Sequence, residues 1–397
     1  MNNISHIKDC YGCGVCATAC PRKIISIELN DSGFYEPRIQ DEDACVNCGI
    51  CLRVCAFSHS ERAVPEAETI RSYAAWSNDA ATRQKCSSGG AGFEIARLLL
   101  KQGYQFCGVR YNVEKERAEH YIAETEEDAA ASIGSKYIQS YTLDGFRGIN
   151  RKQKYLVTGT PCQIDSFRRY IRLMNIEKNF ILMDFFCHSV PSMQVWNKYC
   201  RMVEKETGKI SHVSWRDKRT GWHDSWAMHI QGQRGDVEQA PLHDEQGKTG
   251  DYHSRLSRGD VFYRLFLWDF CINKACMKNC KYKMDASSAD IRIGDLWGKT
   301  YKKDEKGVSA LITFSSPGDD VVRNLNSCTI EEHPLKVVTE GQMNKNASKA
   351  CFNAIAAAMI RSKKIHHVHT WNILFSLEKA ARLPKRIIRK IKRILFS

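Results

Sequence analysis

Short apolar runs alternate with helical patterns of apolar positions from residue 72 to about residue 206. Strands are predicted at 72–76, 105–111, 154–158 and 180–186, and helices are predicted at 90–101, 162–174 and 191–206. Strand–helix alternation of this kind is typical of a partly parallel, mixed sheet covered by helices. The pattern therefore predicts an α/β or α+β fold for the larger part of the chain.

The pattern becomes more polar after residue 208, with a short strand predicted at 226–231, a helix at 261–270 and a strand at 290–294. We expect these elements to form a second α+β lobe. The large domain then consists of an N-terminal part, 70–190, and a C-terminal part, 191–345. A charged stretch at 58–69 predicts a linker between this domain and a small domain at 1–60.

The end of the chain predicts a basic amphipathic helix within 371–397. Residues 385–396 read KRIIRKIKRILF, and the apolar positions form one helical stripe opposite Lys and Arg: Ile387, Ile388, Ile391, Ile394 and Leu395. Such a helix fits the surface of an anionic membrane. The alternative is a helix that packs on its own domain or on a partner.

Composition and charge narrow the class of protein. The 397 residues include 43% hydrophobic residues, yet no run approaches the ~18 apolar residues of a membrane span, and residues 1–10 do not resemble a signal peptide. We therefore expect a cytoplasmic protein, peripheral at the inner face of the membrane if the tail binds lipid. Seven of the net +14 charges lie in 382–397, so the charge of the remaining chain is modest and we expect no nucleic-acid partner.

Eighteen cysteines in a reducing compartment favour metal ligation over disulfides. Two runs share the spacing C-x2-C-x2-C-x3-C, in which the fourth cysteine of each run ligates the other cluster. This predicts two [4Fe-4S] clusters, on Cys10, Cys13, Cys16 and Cys55, and on Cys45, Cys48, Cys51 and Cys20. Four-cysteine zinc sites, the alternative, usually place two CxxC pairs a dozen or more residues apart.

Residues 4–60 resemble the two-cluster bacterial ferredoxin domain. Gly12, Gly14 and Gly49 would let backbone amides approach the sulfurs. Pro21 follows Cys20, as is usual in this motif. Ala56 stands where the second proline is expected.

Four further segments contain candidate chemistry: 86–90 (CSSGG), 134–137 (GSKY), 159–163 (GTPCQ), and 276–280 followed by 290–298. Ser88, Gly89 and Gly90 form a turn before a helix, which suits either a phosphate or a simple helix cap. Thr160 and Pro161 are typical of the start of a helix and place Cys162 in its first turn.

A third four-iron site is predicted from cysteines at strand and helix ends. Cys187 ends the strand after Cys162, and if the two strands are parallel neighbours, both thiols face one crevice. Cys276 and Cys280 complete the set, with Cys271 as a spare candidate.

In this order, the four segments resemble the coenzyme F420 hydrogenase/dehydrogenase beta-subunit family over residues 73–298. The resemblance implies a flavoprotein that binds FAD and a four-iron cluster. In the bacterial branch, where a ferredoxin domain often precedes this region, it also implies a link with surface-polysaccharide biosynthesis. The positions that it implies for cofactor binding are Ser88, Gly89, Gly90, Lys136, Gly159, Thr160 and Pro161.

We therefore expect an iron–sulfur flavoprotein oxidoreductase that exchanges electrons with a donor protein or partner enzyme subunit and with a small two-electron acceptor. The alternative is a non-catalytic electron-transfer subunit that feeds a partner enzyme. No Ser-His-Asp or paired-carboxylate pattern indicates a hydrolase. His188 is predicted either to donate a proton near a flavin or to be hydrogen-bonded within the fold.

Overall fold

A computed structural model describes residues 2–66, 70–233, 249–364 and 367–395, with side chains in the last helix described as far as residue 383. The strands are β1 (Ile25–Leu29), β2 (Tyr35–Ile39), β3 (Arg71–Ser77), β4 (Gln105–Asn112), β5 (Arg117–Ala123), β6 (Ser140–Tyr141), β7 (Tyr155–Thr158), β8 (Phe180–Phe185), β9 (Lys209–Ser214), β10 (Ala227–Gln233), β11 (Thr249–Arg255), β12 (Ile291–Asp295), β13 (Ser309–Thr313) and β14 (Cys328–Glu332).

The helices cover both faces of the large sheet. They are α1 (Val15–Ala19), α2 (Ile50–Arg53), α3 (Ala80–Lys85), α4 (Ala91–Lys101), α5 (Glu126–Ala130), α6 (Leu143–Arg147), α7 (Pro161–Leu173), α8 (Met193–Thr207), α9 (Val261–Leu267), α10 (Lys274–Lys278), α11 (Ser316–Arg323), α12 (Leu335–Val338), α13 (Asn353–Arg361) and α14 (Val368–Leu395). In the part of the chain described here, no helix is both long and apolar enough to cross a membrane.

The first sixty residues form two similar halves around an antiparallel β1–β2 ribbon. In each half a glycine in the left-handed region, Gly14 or Gly49 (both φ 72°), precedes a short helix that contains cysteine. Glycine adopts this backbone conformation without the steric penalty of a Cβ atom. The chain can therefore turn sharply between successive cysteines of each run.

The large domain is built on a nine-stranded sheet in the order β14-β3-β13-β12-β8-β7-β4-β5-β6. The central neighbours β12, β8, β7 and β4 are mutually parallel, so their carboxyl ends share one edge. This confirms the predicted mixed sheet and the parallel pairing of 154–158 with 180–186. The ends of β7 and β8 place Cys162 and Cys187 at that edge.

The assignment of strand 290–294 to a second lobe was wrong. This segment is β12, which lies in the middle of the large sheet between β8 and β13. The local pattern shows that a strand exists there, but strand partners are set by contacts far apart in sequence. The second lobe is smaller: the antiparallel sheet β11-β10-β9, packed on α8 and α9 around Trp196, Trp215 and Phe262.

Residues 58–66 are not a free linker, although the charged composition predicted one. Ala63 is buried, and its N–H donates to the Asp165 carboxylate on α7 at 3.1 Å. Arg169 and Arg172 of the same helix donate to the carbonyls of Glu61 and Val64. The prediction of a linker relied on the charged side chains of this stretch. The contacts that hold the stretch on α7 are made by its backbone, which the composition does not indicate. Residues 67–69 lie outside the described residues.

A buried ion pair fixes the loop that follows two of the predicted ligands, Cys276 and Cys280. Arg292 on β12 makes two hydrogen bonds of 2.7 Å to Asp184 on β8, and both side chains are fully buried. The same guanidinium donates to the carbonyls of Tyr282 and Met284. The loop after Cys280 is thereby held against the end of β8.

Replacing Arg292 with Gln should lower the free energy of unfolding by about 3–5 kcal/mol, because Asp184 is left buried and unpaired. Urea denaturation of the anaerobically purified chain measures the change. The matched control is Arg38→Gln, which breaks the exposed pair Arg38–Glu28 and should cost no more than about 0.5 kcal/mol. Equal losses in both variants would contradict the role given to the buried pair.

Candidate iron–sulfur and flavin site

Two cavities in the first domain divide its eight cysteines into two sets of four. Cys10, Cys13, Cys16 and Cys55 line the first cavity. Cys20, Cys45, Cys48 and Cys51 line the second. The structure thus brings together the two crossed sets that the spacing predicts, each with its fourth cysteine from the other half.

The thiols of the first cavity lie close enough together for the charge on one to affect the pKa of another. Burial, and next the charge of Cys55, raise the pKa of Cys13 to about 11. Burial also raises the pKa of Cys16, with further contributions from Cys13, Cys55 and Cys10. The Gly12 N–H donates to the Cys10 sulfur at 3.3 Å. The cavity therefore presents sulfurs together with a backbone donor, an arrangement that suits thiolates bound to a cluster.

The second cavity lies closer to solvent than the first. Cys48 is exposed, and Cys20 and Cys45 are partly exposed, whereas the four cysteines of the first cavity are buried. Val46 beside the second cavity is 64% exposed. A group held in this cavity would be the one nearer to a docking protein.

A third set of thiols gathers where the large sheet meets the first domain. Cys162 stands in the first turn of α7, Cys187 follows β8, Cys276 is in α10 and Cys280 follows it. Burial, then Cys276 and Cys187, raise the pKa of Cys162. Burial, then Cys187, raise the pKa of Cys276 to about 12, with Cys280 contributing in the same direction. These four thiols therefore share one neighbourhood.

Cys271, the spare candidate, does not join this set. Burial raises its pKa to about 11, and the charge of Arg361 acts in the opposite direction. Its backbone N–H donates to Asn353 on α13. The structure therefore places it with the helices of the second lobe.

Tyr11 connects the third set of thiols to the first cavity. It lines that cavity, and burial together with the charges of Cys162, Cys280 and Cys276 raises its pKa. Its hydroxyl donates to the Asn279 carbonyl at 2.5 Å. Tyr11 therefore borders the first cavity and lies within electrostatic range of three thiols of the third set.

Lys283 supplies positive charge at the third set. Its ammonium donates to the carbonyls of Cys187 and His188 at 2.8 and 2.7 Å. Burial raises the pKa of Cys187 to about 11, and the charge of Lys283 acts in the opposite direction. A lysine in this position stabilises thiolate at a site that would otherwise favour the neutral thiol.

The CSSGG and GSKY segments contact each other at the carboxyl edge of the sheet. The Ser135 N–H donates to the Ser87 hydroxyl at 2.8 Å, and the Ser88 hydroxyl donates to the Val308 carbonyl at 2.7 Å. A Cβ at Gly89 would lie 2.4 Å from the Ala75 carbonyl, so this glycine permits close packing on β3. Gly90 (φ 90°) begins α4 without a side-chain cap, which leaves first-turn amides for a ligand.

Lys136 is directed at protein carbonyls. Its ammonium donates to Ser132 and Ile133 at the end of α5, at 2.7 and 3.1 Å, and burial lowers its pKa to about 7. In this structure Lys136 holds the loop in place. Contact of its ammonium with a cofactor, which the family resemblance implies, stays a prediction.

The GTPCQ segment forms the predicted helix start. Thr160 and Gln163 make a capping box, with Pro161 at the first helical position. The Thr160 hydroxyl lies 3.2 Å from the Cys162 sulfur. Gly159, Thr160 and Pro161 therefore position a thiol of the third set.

Residues 134–140 join the GSKY loop to the iron–sulfur region. Gln139 accepts from Tyr35 N–H and donates to the Tyr11 carbonyl, and Gln163 donates to the Ser140 hydroxyl at 3.0 Å. Ser135 and Ser140 are five residues apart, which limits their Cα separation to about 18 Å. The candidate cofactor loop is thus connected by a short stretch of chain to the first turn of α7, which contains Cys162.

Sequence reasoning missed an arginine at the same edge. Arg216 makes two hydrogen bonds to Asp295 at the end of β12 and one to the Tyr137 hydroxyl. Its guanidinium lies 5.1 and 5.5 Å from the ring centroids of Trp226 and Trp297. Arg216 lies in the sequence WRDK at 215–218, but this stretch does not reveal its partner, because Asp295 is 79 positions away.

His188 is held by the fold. Its Nε2 lies 3.0 Å from the Asp269 carboxylate, and its ring packs edge-to-face on Phe266. This arrangement favours the second of the two predicted roles. Its use as a proton donor stays a prediction.

Comparisons with known proteins agree with these two parts of the chain. Residues 9–58 match the family model described as a 4Fe-4S dicluster domain, and residues 152–337 match the model for the C terminus of the coenzyme F420 hydrogenase/dehydrogenase beta subunit. No curated protein matches. A chain in the xenon-derivative structure of the F420-reducing [NiFe] hydrogenase complex from Methanosarcina barkeri is 16% identical with a TM-score of 0.45, over 71% of this chain and 87% of that chain. The two family matches identify the chain as an iron–sulfur electron-transfer protein with a region related to the coenzyme F420 hydrogenase beta subunit.

Proposed function

We propose that this protein is an oxidoreductase that passes electrons through three [4Fe-4S] clusters to a flavin, from which a small acceptor takes two electrons. The observation on which this rests is the third set of thiols, Cys162, Cys187, Cys276 and Cys280, beside Tyr11 and the first cavity. Each cluster carries one electron at a time, whereas hydride-type reduction needs two. A flavin supplies the conversion between one- and two-electron transfer.

The exposure of the two dicluster cavities and the position of Tyr11 suggest an order of transfer. The cluster on Cys20, Cys45, Cys48 and Cys51 is nearest to solvent and would meet the redox donor protein. The cluster on Cys10, Cys13, Cys16 and Cys55 lies next, followed by the third cluster across Tyr11. Each step then joins neighbouring sites, and the same path serves the reverse direction.

The residues at the carboxyl edge of the sheet fit FAD. The uncapped first turn of α4 at Gly90 offers backbone N–H groups to an anion, and Gly134 (φ 85°) has no atom within 4 Å of where a Cβ would stand. Ser88, Gly89, Gly90 and Lys136 would form one wall of the site. Gly159, Thr160 and Pro161 would hold the side facing the third cluster.

The second candidate function is an electron-transfer subunit without a substrate of its own. The dicluster domain alone would support it, because two clusters suffice to move single electrons. The link to surface-polysaccharide biosynthesis, implied by the family resemblance, is part of the proposal for the acceptor.

Metal and flavin analysis of anaerobically purified protein separates the two functions. We expect about twelve iron and twelve sulfide per chain and one FAD released on denaturation. About eight iron and no flavin would support the electron-transfer subunit and contradict the oxidoreductase. Stoichiometric zinc would contradict both.

Cysteine variants test the three ligand sets. Cys187→Ala and Cys280→Ala should each lower the iron content by about four atoms and remove the same EPR signal, because both would remove a ligand of the third cluster. Cys10→Ala and Cys55→Ala should each remove a second EPR signal, the same one in both variants, because both cysteines belong to the first ligand set. Cys271→Ala is the matched control and should retain the full iron content; a loss in this variant would contradict the third ligand set.

We also propose that α14 lies against an anionic membrane. Its inner side packs through Trp371 and Phe375, and Arg382 donates to the Trp268 carbonyl. On the opposite side Ile373 and Leu377 are 51% and 46% exposed. Ile391 follows Ile373 by 18 positions, or five turns at 3.6 residues per turn. The predicted stripe Ile387, Ile388, Ile391, Ile394 and Leu395 lies outside the described side chains but continues this outer row in sequence.

Vesicle sedimentation tests the membrane contact. The full chain should bind vesicles that contain phosphatidylglycerol, and Ile373→Glu with Leu377→Glu should lose most of this binding, because two buried charges replace apolar contacts with lipid. Ile70→Glu is the control, since Ile70 is 47% exposed elsewhere. Unchanged sedimentation of the double variant would refute the orientation of the helix.

A further inference from the structure

Ala56 gives the first ligand set a hydrogen-bond donor that proline would lack. Ala56 follows Cys55, the fourth cysteine of its run, and is fully buried. Its N–H donates to the Ser166 hydroxyl oxygen at 3.0 Å. In the other half Pro21 follows Cys20 and has no N–H to donate. The departure from the usual motif therefore makes a specific contact.

Ser166 places its hydroxyl against a sulfur of the first set. It is fully buried on α7, one helical turn after Cys162. Its Oγ lies 3.2 Å from the Cys13 sulfur. Ser166 is fully buried and Cys13 is only 8% exposed, so this contact is largely shielded from water.

The direction of this hydrogen bond follows from the state of Cys13. A cysteine bound to iron is a thiolate and has no proton to give. The Ser166 oxygen already accepts from the Ala56 N–H, and a serine hydroxyl has one proton to donate. The proton is therefore free to point at the Cys13 sulfur, giving the series Ala56 N–H to Ser166 Oγ–H to Cys13 Sγ.

We propose that Ser166 is a positioning residue that raises the reduction potential of the inner cluster, with Ala56 orienting its hydroxyl. The inner cluster is the one on Cys10, Cys13, Cys16 and Cys55. A donor to a ligand sulfur stabilises the reduced cluster more than the oxidised one, because reduction adds negative charge to the sulfurs. This inference rests on the proposed ligation of a four-iron cluster by Cys10, Cys13, Cys16 and Cys55. The higher potential lets the inner cluster accept an electron more readily from the outer cluster, which is the one proposed on Cys20, Cys45, Cys48 and Cys51.

An EPR-monitored redox titration of the anaerobic full chain tests the proposal. At the wild-type midpoint of the inner cluster, Ser166→Ala should lower the ratio of reduced to oxidised cluster about tenfold, equivalent to about 59 mV for one electron. The signals of the other clusters should titrate as in the wild type. A merely structural role of the serine would not move one potential selectively.

Three variants complete the test. Ser166→Thr keeps the hydroxyl and should titrate close to wild type. Ala56→Pro removes the orienting N–H and should shift the same cluster in the same direction by a smaller amount. Ser72→Ala, which removes a buried serine hydroxyl bonded to the His333 carbonyl, should leave every potential unchanged.

A fully iron-loaded Ser166→Ala protein with wild-type midpoints would overturn the proposal. If that variant fails to assemble the inner cluster, Ala56→Pro decides, because unchanged midpoints in it overturn the proposal equally. Failure of the proposed function has a different signature. It shows as absence of the inner-cluster signal from the wild type itself and from Cys10→Ala alike.

Discussion

The assembly of this molecule depends on one buried carboxylate on α7. Asp165 is fully buried, accepts from the Ala63 N–H and Arg169 through one oxygen, and accepts from the Tyr282 hydroxyl through the other. These partners belong to the segment that leaves the dicluster domain, to α7 itself and to the loop after Cys280. Because a buried charge without partners is strongly unfavourable, the three segments are held together around this carboxylate. The same contacts hold the cysteines of the first cavity and of the third set near each other.

This arrangement explains how one helix can serve two neighbouring sites. Cys162 and Ser166 lie one turn apart on α7 and so face the same side, toward the third set of thiols and toward the Cys13 sulfur. The dicluster domain is therefore fixed on the large domain by the same surface that would carry electrons between them. Residues 134–140 add a second connection from the sheet edge to this junction.

Much of the fold could be predicted because its signals are local. The two cysteine runs follow a fixed spacing, and strands such as 180–186 are strongly apolar. Other features depend on partners far away in sequence. The central position of β12 is set by Asp184, 108 residues before Arg292, and the backbone contacts of 61–64 are hidden by charged side chains. Ser166 and Asp165 look like ordinary polar positions of a helix until the structure places a sulfur and two other segments beside them.

The open second cavity has a protective consequence. Oxidants dissolved in water would reach the exposed Cys48 before the buried cysteines of the first cavity. With the proposed clusters bound, loss of the one at Cys48 would interrupt the proposed path from the donor protein and leave the cluster of the first cavity in place. The proposed flavin would then receive no electrons from the donor during exposure to air, and rebuilding one cluster would restore the path.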